Sequence, residues 1–84
     1  MVKILYFARL KETLGMGSED IALPQTVRTL GALRETLVLR GGDWAHVLAP
    51  SSRIRAAVNQ QMASDETPIA EGDEIAFFPP VTGG

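Results

Sequence analysis

Eighty-four residues, 45% hydrophobic and 21% charged, describe one small domain in which eight basic and ten acidic side chains leave a net charge of −2. A domain of this size buries only about 60–65% of the surface that its unfolded chain exposes, so its core has to be economical. The lack of cysteine excludes disulfides, thiolate-bound zinc and cysteine-ligated iron–sulfur clusters, His46 is the one histidine, and no basic run is present to neutralise a nucleic-acid backbone. No apolar run approaches the roughly 20 residues of a membrane span, and the short opening Met1 to Ala8 lacks the layout of a secretory leader, so a cytoplasmic location is expected.

The chain opens on Val2 to Ala8, apolar at nearly every position, which predicts a strand covered on both faces in the middle of a sheet. The polar stretch from Lys11 and Glu12 through Gly15-Met16-Gly17-Ser18-Glu19 reads as a turn, with Asp20 to Leu23 as the second arm of a hairpin. Pro24-Gln25-Thr26 then opens a helix with Thr26 as its N-cap, and Val27, Leu30, Leu33 and Leu37 recur at three- and four-residue spacing along one face. Gly41-Gly42 stop it, so the pattern predicts one long helix over Val27–Arg40. Gly31 sits inside that helix at a cost of about 1 kcal/mol relative to alanine, which a close approach of helix to sheet explains.

Asp43 to Leu48 predicts a helical turn that tucks Trp44 into the core. Arg53 to Met62 predicts a strand containing Ile54–Val58 with a tight turn at Asn59-Gln60, and a very short strand follows at Gln61–Ala63. Beyond the loop Pro68–Asp73, Glu74–Phe78 is the last strand; Pro79 and Pro80 stop it because they remove two backbone donors and fix φ near −65°. The expected fold is α+β: a mixed sheet of four to five strands, one main helix packed across it, and the apolar first and last strands parallel at its centre. That is the β-grasp, or ubiquitin-like, arrangement, with residues 1–78 as the domain and 79–84 as an extended, flexible tail.

No glycine-rich phosphate loop, serine elbow or dinucleotide fingerprint occurs, so the chain is expected to carry no active site of its own. His46 reads as a packing or surface residue, and Glu71-Gly72-Asp73-Glu74 as a solvated turn short of the ligands a calcium loop needs. Phe7 and Phe78 are candidates for either core or surface, and one of Phe77 and Phe78 must point each way because strand residues alternate faces. What remains is the carboxylate of Gly84. From Pro79 the extended chain reaches up to roughly 20 Å, and a terminus without side chains passes a narrow channel where any Cβ would clash. The Gly-Gly pair alone is weak, since two adjacent glycines arise about once in 200 positions at 7% usage, and an inert frayed tail is the competing reading.

The ending Phe77-Phe78-Pro79-Pro80-Val81-Thr82-Gly83-Gly84 is more telling than a bare diglycine. With Ala57-Val58-Asn59-Gln60, Glu71-Gly72-Asp73-Glu74-Ile75-Ala76, Tyr6-Phe7-Ala8 and Lys11-Glu12, it resembles the small, sulfur-carrying subunits of molybdopterin synthase along the whole chain. The resemblance implies that Gly84 is adenylated with ATP by an adenylyltransferase similar to ubiquitin-activating enzymes, then converted to a thiocarboxylate with sulfur from a donor such as a cysteine desulfurase or rhodanese. It further implies that Gly83 permits passage and that Pro79, Pro80, Val81 and Thr82 line the insertion channel of the large, catalytic subunit. There the sulfur goes to cyclic pyranopterin monophosphate, which becomes the molybdopterin dithiolene. The implied assembly is a heterotetramer with two carriers on a central dimer, with no permanently bound cofactor. An apolar docking patch is implied at Phe7, Met62 and Phe78, with Lys11 as a charged contact at its rim. Two other readings stand beside this one: a β-grasp carrier for thiamine synthesis, tRNA thiolation or protein modification, and a plain β-grasp interaction module whose tail is inert.

Overall fold

The computed structural model describes residues 1–80; Val81, Thr82, Gly83 and Gly84 lie outside the described residues. In chain order the elements are β1 (Val2–Tyr6), α1 (Arg9–Leu14), β2 (Ser18–Ile21), α2 (Leu30–Val38), α3 (Gly42–Val47), β3 (Arg55–Val58), β4 (Gln61–Ala63) and β5 (Glu74–Phe78). They build one five-stranded sheet of order β2-β1-β5-β3-β4, in which β1 and β5 are parallel and every other neighbour is antiparallel. The first and last strands do lie together, with β5 in the centre. Val2, Ile4 and Tyr6 of β1 and Ile75 and Phe77 of β5 pack against Leu30, Leu33 and Leu37 of α2 and against Leu48, all of them essentially inaccessible. Among the described residues, no helix is long and apolar enough to cross a membrane.

Covering on both faces was the wrong expectation for the first strand. Only Val2, Ile4 and Tyr6 are buried, whereas Lys3 and Phe7 are exposed, because the helices occupy one side of the sheet and nothing in the described chain covers the other. The polar turn between the hairpin arms is also a helix. Leu10 and Leu14, four residues apart, place both side chains on one face and in the core. Gly15 caps that helix in the left-handed region at φ 73°, its N–H donating to the Lys11 carbonyl at 3.0 Å. The second arm accordingly starts earlier, at Ser18, and ends at Ile21.

The long helix begins three residues later than its apolar spacing suggests, at Leu30, and ends at Val38; its N-cap is Thr29, not Thr26. The reason is the supply of acceptors. Leu30 N–H donates to the Thr67 carbonyl and Gly31 N–H to the Asp65 carbonyl, both at 2.9 Å; Ala32 N–H donates to Thr29 Oγ1 at 3.2 Å. The first amides of α2 are therefore satisfied by the loop after β4 and by the cap, which fixes the start where those oxygens are. Val27 is buried even so, from a turn closed by its N–H on the Pro24 carbonyl. Gly31 faces this same loop instead of the sheet: a Cβ there would lie 3.0 Å from Asp65 Cβ and 3.1 Å from its carbonyl oxygen.

The third strand is confined to Arg55–Val58, and Asn59 and Gln60 form the two-residue turn to β4 with φ 51° and 69°, the double left-handed geometry of a type I′ hairpin. Asn59 then fastens that turn to the start of β5: its N–H donates to the Glu74 carbonyl at 2.8 Å, its Oδ1 accepts from Glu74 N–H at 3.0 Å, and its Nδ2 donates to Asp73 Oδ1 at 3.0 Å.

Trp44 is half-buried at the margin of the core, not sealed within it. Its indole N–H points to the Tyr6 hydroxyl at 3.4 Å, the Arg40 guanidinium lies 5.1 Å from the ring centroid, and Arg40 binds both oxygens of Glu19 at 2.8 and 2.9 Å. Tyr6 completes the cluster by donating to Glu19 Oε2 at 2.8 Å. The Arg40 hydrogen bonds hold the Glu19 carboxyl below its usual value.

Two measurements check this architecture. Gly31→Ala is expected to lower stability by about 1–3 kcal/mol in urea unfolding, against the gain helix propensity alone would give, because the new Cβ crowds Asp65, whose carbonyl is held close by its hydrogen bond from Gly31 N–H. Since the folded pKa of Glu19 is depressed, its contribution is complete above the unfolded value of about 4.3 and is lost as pH falls through the folded value. Glu19→Gln should therefore be less stable at pH 7 and show a shallower loss of stability below about pH 4.

Candidate functional site

The end of β5 leads into the last described residues of the chain, Pro79 and Pro80. Tyr6 pairs with Phe77, their rings stacked with centroids 6.2 Å apart, and Phe7 N–H extends the parallel ladder by donating to the Phe77 carbonyl at 3.1 Å. Phe77 is the buried member of the Phe77-Phe78 pair, at 0% exposure, and alternation sends Phe78 to the opposite, open face. The next two residues, Pro79 and Pro80, are half-buried and flank a groove of about 410 Å³ whose other walls include Leu10, Val47 and Ile54, with Arg9, His46 and Arg53 around it. The tail root thus combines a fully buried anchor, a last strand bond and two residues of fixed φ.

On the open face, the strand registers place Leu5 beside Ala76, Ala76 beside Ala57, and Ala57 beside Met62, an apolar row that crosses four strands. Phe78 lies beside Arg55 in the next row toward the tail. Phe7 is 46% and Met62 62% exposed, so of the three patch residues singled out in the sequence, all reach this side of the sheet or its edge and keep apolar surface in water. Lys11 stands apart from them, on α1; its side-chain stem crosses Gly17, where a Cβ would come within 3.2 Å of Cε. Val81, Thr82, Gly83 and Gly84 are outside the described residues.

Burial pushes the Tyr6 hydroxyl well above its usual value, opposed by the hydrogen bond from Trp44, so this phenol stays protonated and acts as a donor to Glu19. His46 is exposed on α3 and Ser52 donates to its carbonyl oxygen, not to its ring, at 3.1 Å. Among the described residues, no group of three or more His, Cys, Asp or Glu side chains is arranged to hold a metal ion. The groove with Arg9 and Arg53 was invisible in the sequence, because the two arginines stand far apart along the chain and are brought to one end by the parallel pairing of β1 with β5 together with the antiparallel pairing of β3 with β5.

Comparison with known proteins agrees with this geometry. The model of the ThiS family matches residues 4–84. A molybdopterin synthase sulfur carrier subunit from Escherichia coli is 40% identical over 84 residues, covering 100% of both chains, and the Homo sapiens subunit of the same name is 36% identical over 99% of this chain and 93% of its own. Among solved structures, small archaeal modifier protein 1 of Haloferax volcanii superposes with a TM-score of 0.77 at 26% identity, covering 95% of this chain and 97% of that one. A family match over nearly the whole length, with relatives aligned from end to end on the same β-grasp sheet, establishes that the chain belongs to the ThiS family.

Proposed function

We infer that this chain is the sulfur carrier of molybdopterin synthesis, acting in the cytoplasm as the small subunit of the synthase. The observation that carries this reading is the 40% identity to a sulfur carrier subunit in an alignment that runs from end to end of both chains. The tail supplies the reacting group and the domain supplies its aim. In the first step a carboxylate oxygen of Gly84 attacks the α-phosphorus of ATP on an adenylyltransferase and pyrophosphate leaves. In the second, the outer sulfur of a persulfide on a cysteine desulfurase or rhodanese attacks the acyl carbon and AMP leaves; a partner thiol then attacks the inner sulfur of the resulting acyl disulfide, so the chain ends in a thiocarboxylate and the two partner sulfurs in a disulfide. ATP is consumed by the partner, and the carrier itself retains no cofactor.

The thiocarboxylate then enters the large catalytic subunit, where it delivers sulfur to cyclic pyranopterin monophosphate. The open face with Phe7, Met62 and Phe78 supports docking there. Exposed aromatic and thioether side chains around a flat row of small residues bury apolar area without clash, and two prolines lower the entropy lost when Pro79 to Gly84 threads the partner. Lys11 lies beyond that row, at a position suited to a charged rim contact.

The structural likeness to a small archaeal modifier protein supports a second reading, conjugation of Gly84 to amines of other proteins. Intact mass spectrometry separates the two. Incubation with the adenylyltransferase, ATP and a sulfur donor should replace one oxygen of Gly84 by sulfur, and removal of Gly83-Gly84 should abolish that change; lysine conjugates without a thiocarboxylate would support the modifier reading instead. Phe7→Asp should leave thiolation competent in principle but weaken binding to the large subunit by about tenfold or more in calorimetry, since it puts a charge into an apolar contact.

A further inference from the structure

The groove beside the diproline has apolar walls in Leu10 of α1, Val47 of α3 and Ile54 ahead of β3. Its ionisable groups are Arg9, Arg53 and His46, and among the described residues no carboxylate lines it. The carboxylates that the two neighbouring helices contribute lie elsewhere: Glu12 of α1 lines a separate hollow with Lys11 and Met16, and Asp43 stands in the first turn of α3, whereas His46 and Val47 come from its end.

Other arginines have partners within the fold. Arg28 donates to the Gln25 carbonyl, Arg34 to the carbonyls of Leu48, Ala49 and Ser52, and Arg40 to Glu19. Arg9 and Arg53 are exposed, and among the described residues neither makes an ion pair or a side-chain hydrogen bond. Two guanidinium groups beside an apolar wall suit a carboxylate on a short stem that also carries an apolar residue. The chain itself ends in such a group. Pro79 and Pro80 belong to the wall of the groove, so the four residues that follow them in sequence, Val81-Thr82-Gly83-Gly84, are tethered at it. Extended, those four residues reach about 13–14 Å. Val81 matches the apolar wall, and the two glycines put no Cβ between the terminal carboxylate and a planar guanidinium. A tether this short gives the carboxylate an effective concentration on the order of millimolar at the groove, an advantage that no free acidic peptide has.

We propose that this groove is the resting seat of the chain's own terminus: in the free protein the Gly84 carboxylate lies on Arg9 and Arg53, with Val81 against Leu10, Val47 and Ile54, and an enzyme has to draw the tail out before using it. The contact stands on the groove alone, while its regulatory consequence rests on the carrier function inferred above. Ion pairs between exposed groups are weak, so the seat holds the terminus without locking it. A partner that takes only the released tail then binds with an affinity reduced by the fraction of carrier in which the tail is free.

The test is NMR of the isotope-labelled, full-length carrier at low salt. The Gly83 and Gly84 amides should show a positive heteronuclear NOE, and the side-chain Nε–H signals of Arg9 and Arg53 should move when Gly83-Gly84 are removed. Arg9→Gln/Arg53→Gln should turn the NOE of both glycines negative while the amide spectrum of the domain verifies the fold; Arg55→Gln, which alters an arginine on the other face, should leave it positive. The consequence is read in ATP–pyrophosphate exchange by the adenylyltransferase, where the Arg9→Gln/Arg53→Gln carrier should have a KM lower by about threefold or more. A negative NOE at both glycines of the wild-type chain, with arginine signals indifferent to the truncation, overturns the seat. Shifts that grow with protein concentration overturn it too, assigning the groove to the tail of a second copy. A contact seen by NMR with an unchanged or raised KM in the double variant overturns the restraint on activation. No exchange with the wild-type carrier, whose tail contact is nonetheless seen by NMR, overturns the carrier reading and leaves the seat standing.

Discussion

The parallel pairing of β1 with β5 is the constraint on which the rest depends. A parallel pair cannot be closed by a tight turn, so everything between the first and last strands has to serve as a crossover, and here that crossover supplies the hairpin arm β2, the helices and the β3–β4 hairpin. The pairing also fixes polarity. Because β5 runs the same way as β1, the tail emerges where α1 begins and where β3 starts, and so the residues that surround it come from three separate stretches of chain. The stacked rings of Tyr6 and Phe77 hold the last rung of that ladder, two residues before the first proline.

Much of this was legible in the residues. The leucine spacing of α2, the Asn59-Gln60 turn, the five strands and the apolar first and last pair are local signals, and each survived folding with at most a shift of boundary. What the sequence concealed was set by tertiary partners. The start of α2 depends on carbonyls of Asp65 and Thr67, which no pattern near Thr26 could reveal. The helix α1 is only six residues long and half of them are charged; its signal is the single pair Leu10 and Leu14, outweighed by the glycines that follow. The uncovered face of β1 was hidden for a different reason: an apolar strand reads the same whether its second face meets a helix or stays open for a partner.

The site shows the same division. The diglycine tail and the aromatic residues beside it are contiguous enough to be recognised by eye. The choice between Phe77 and Phe78 needed the register, since alternation says that they differ without saying which is which. Arg9 and Arg53 needed the whole topology, and Lys11, grouped with the patch on resemblance, lies on a separate element where its stem covers Gly17.

The Met1 amine pairs with Glu71 and the Met1 carbonyl accepts from Gly72 N–H, which pins the start of the chain to the loop that leads into β5. Since both strands of the parallel pair begin there, the amino terminus and the end of β5 sit at opposite poles of a body 37 Å in its longest dimension. A second protein joined ahead of Met1 would give up one exposed ion pair, a small loss, and would hang from the pole opposite the end of β5. The architecture therefore accepts tethering at its base: such a carrier can be fused to a larger protein or held on a surface by its first residue while the end of β5 points away from the attachment.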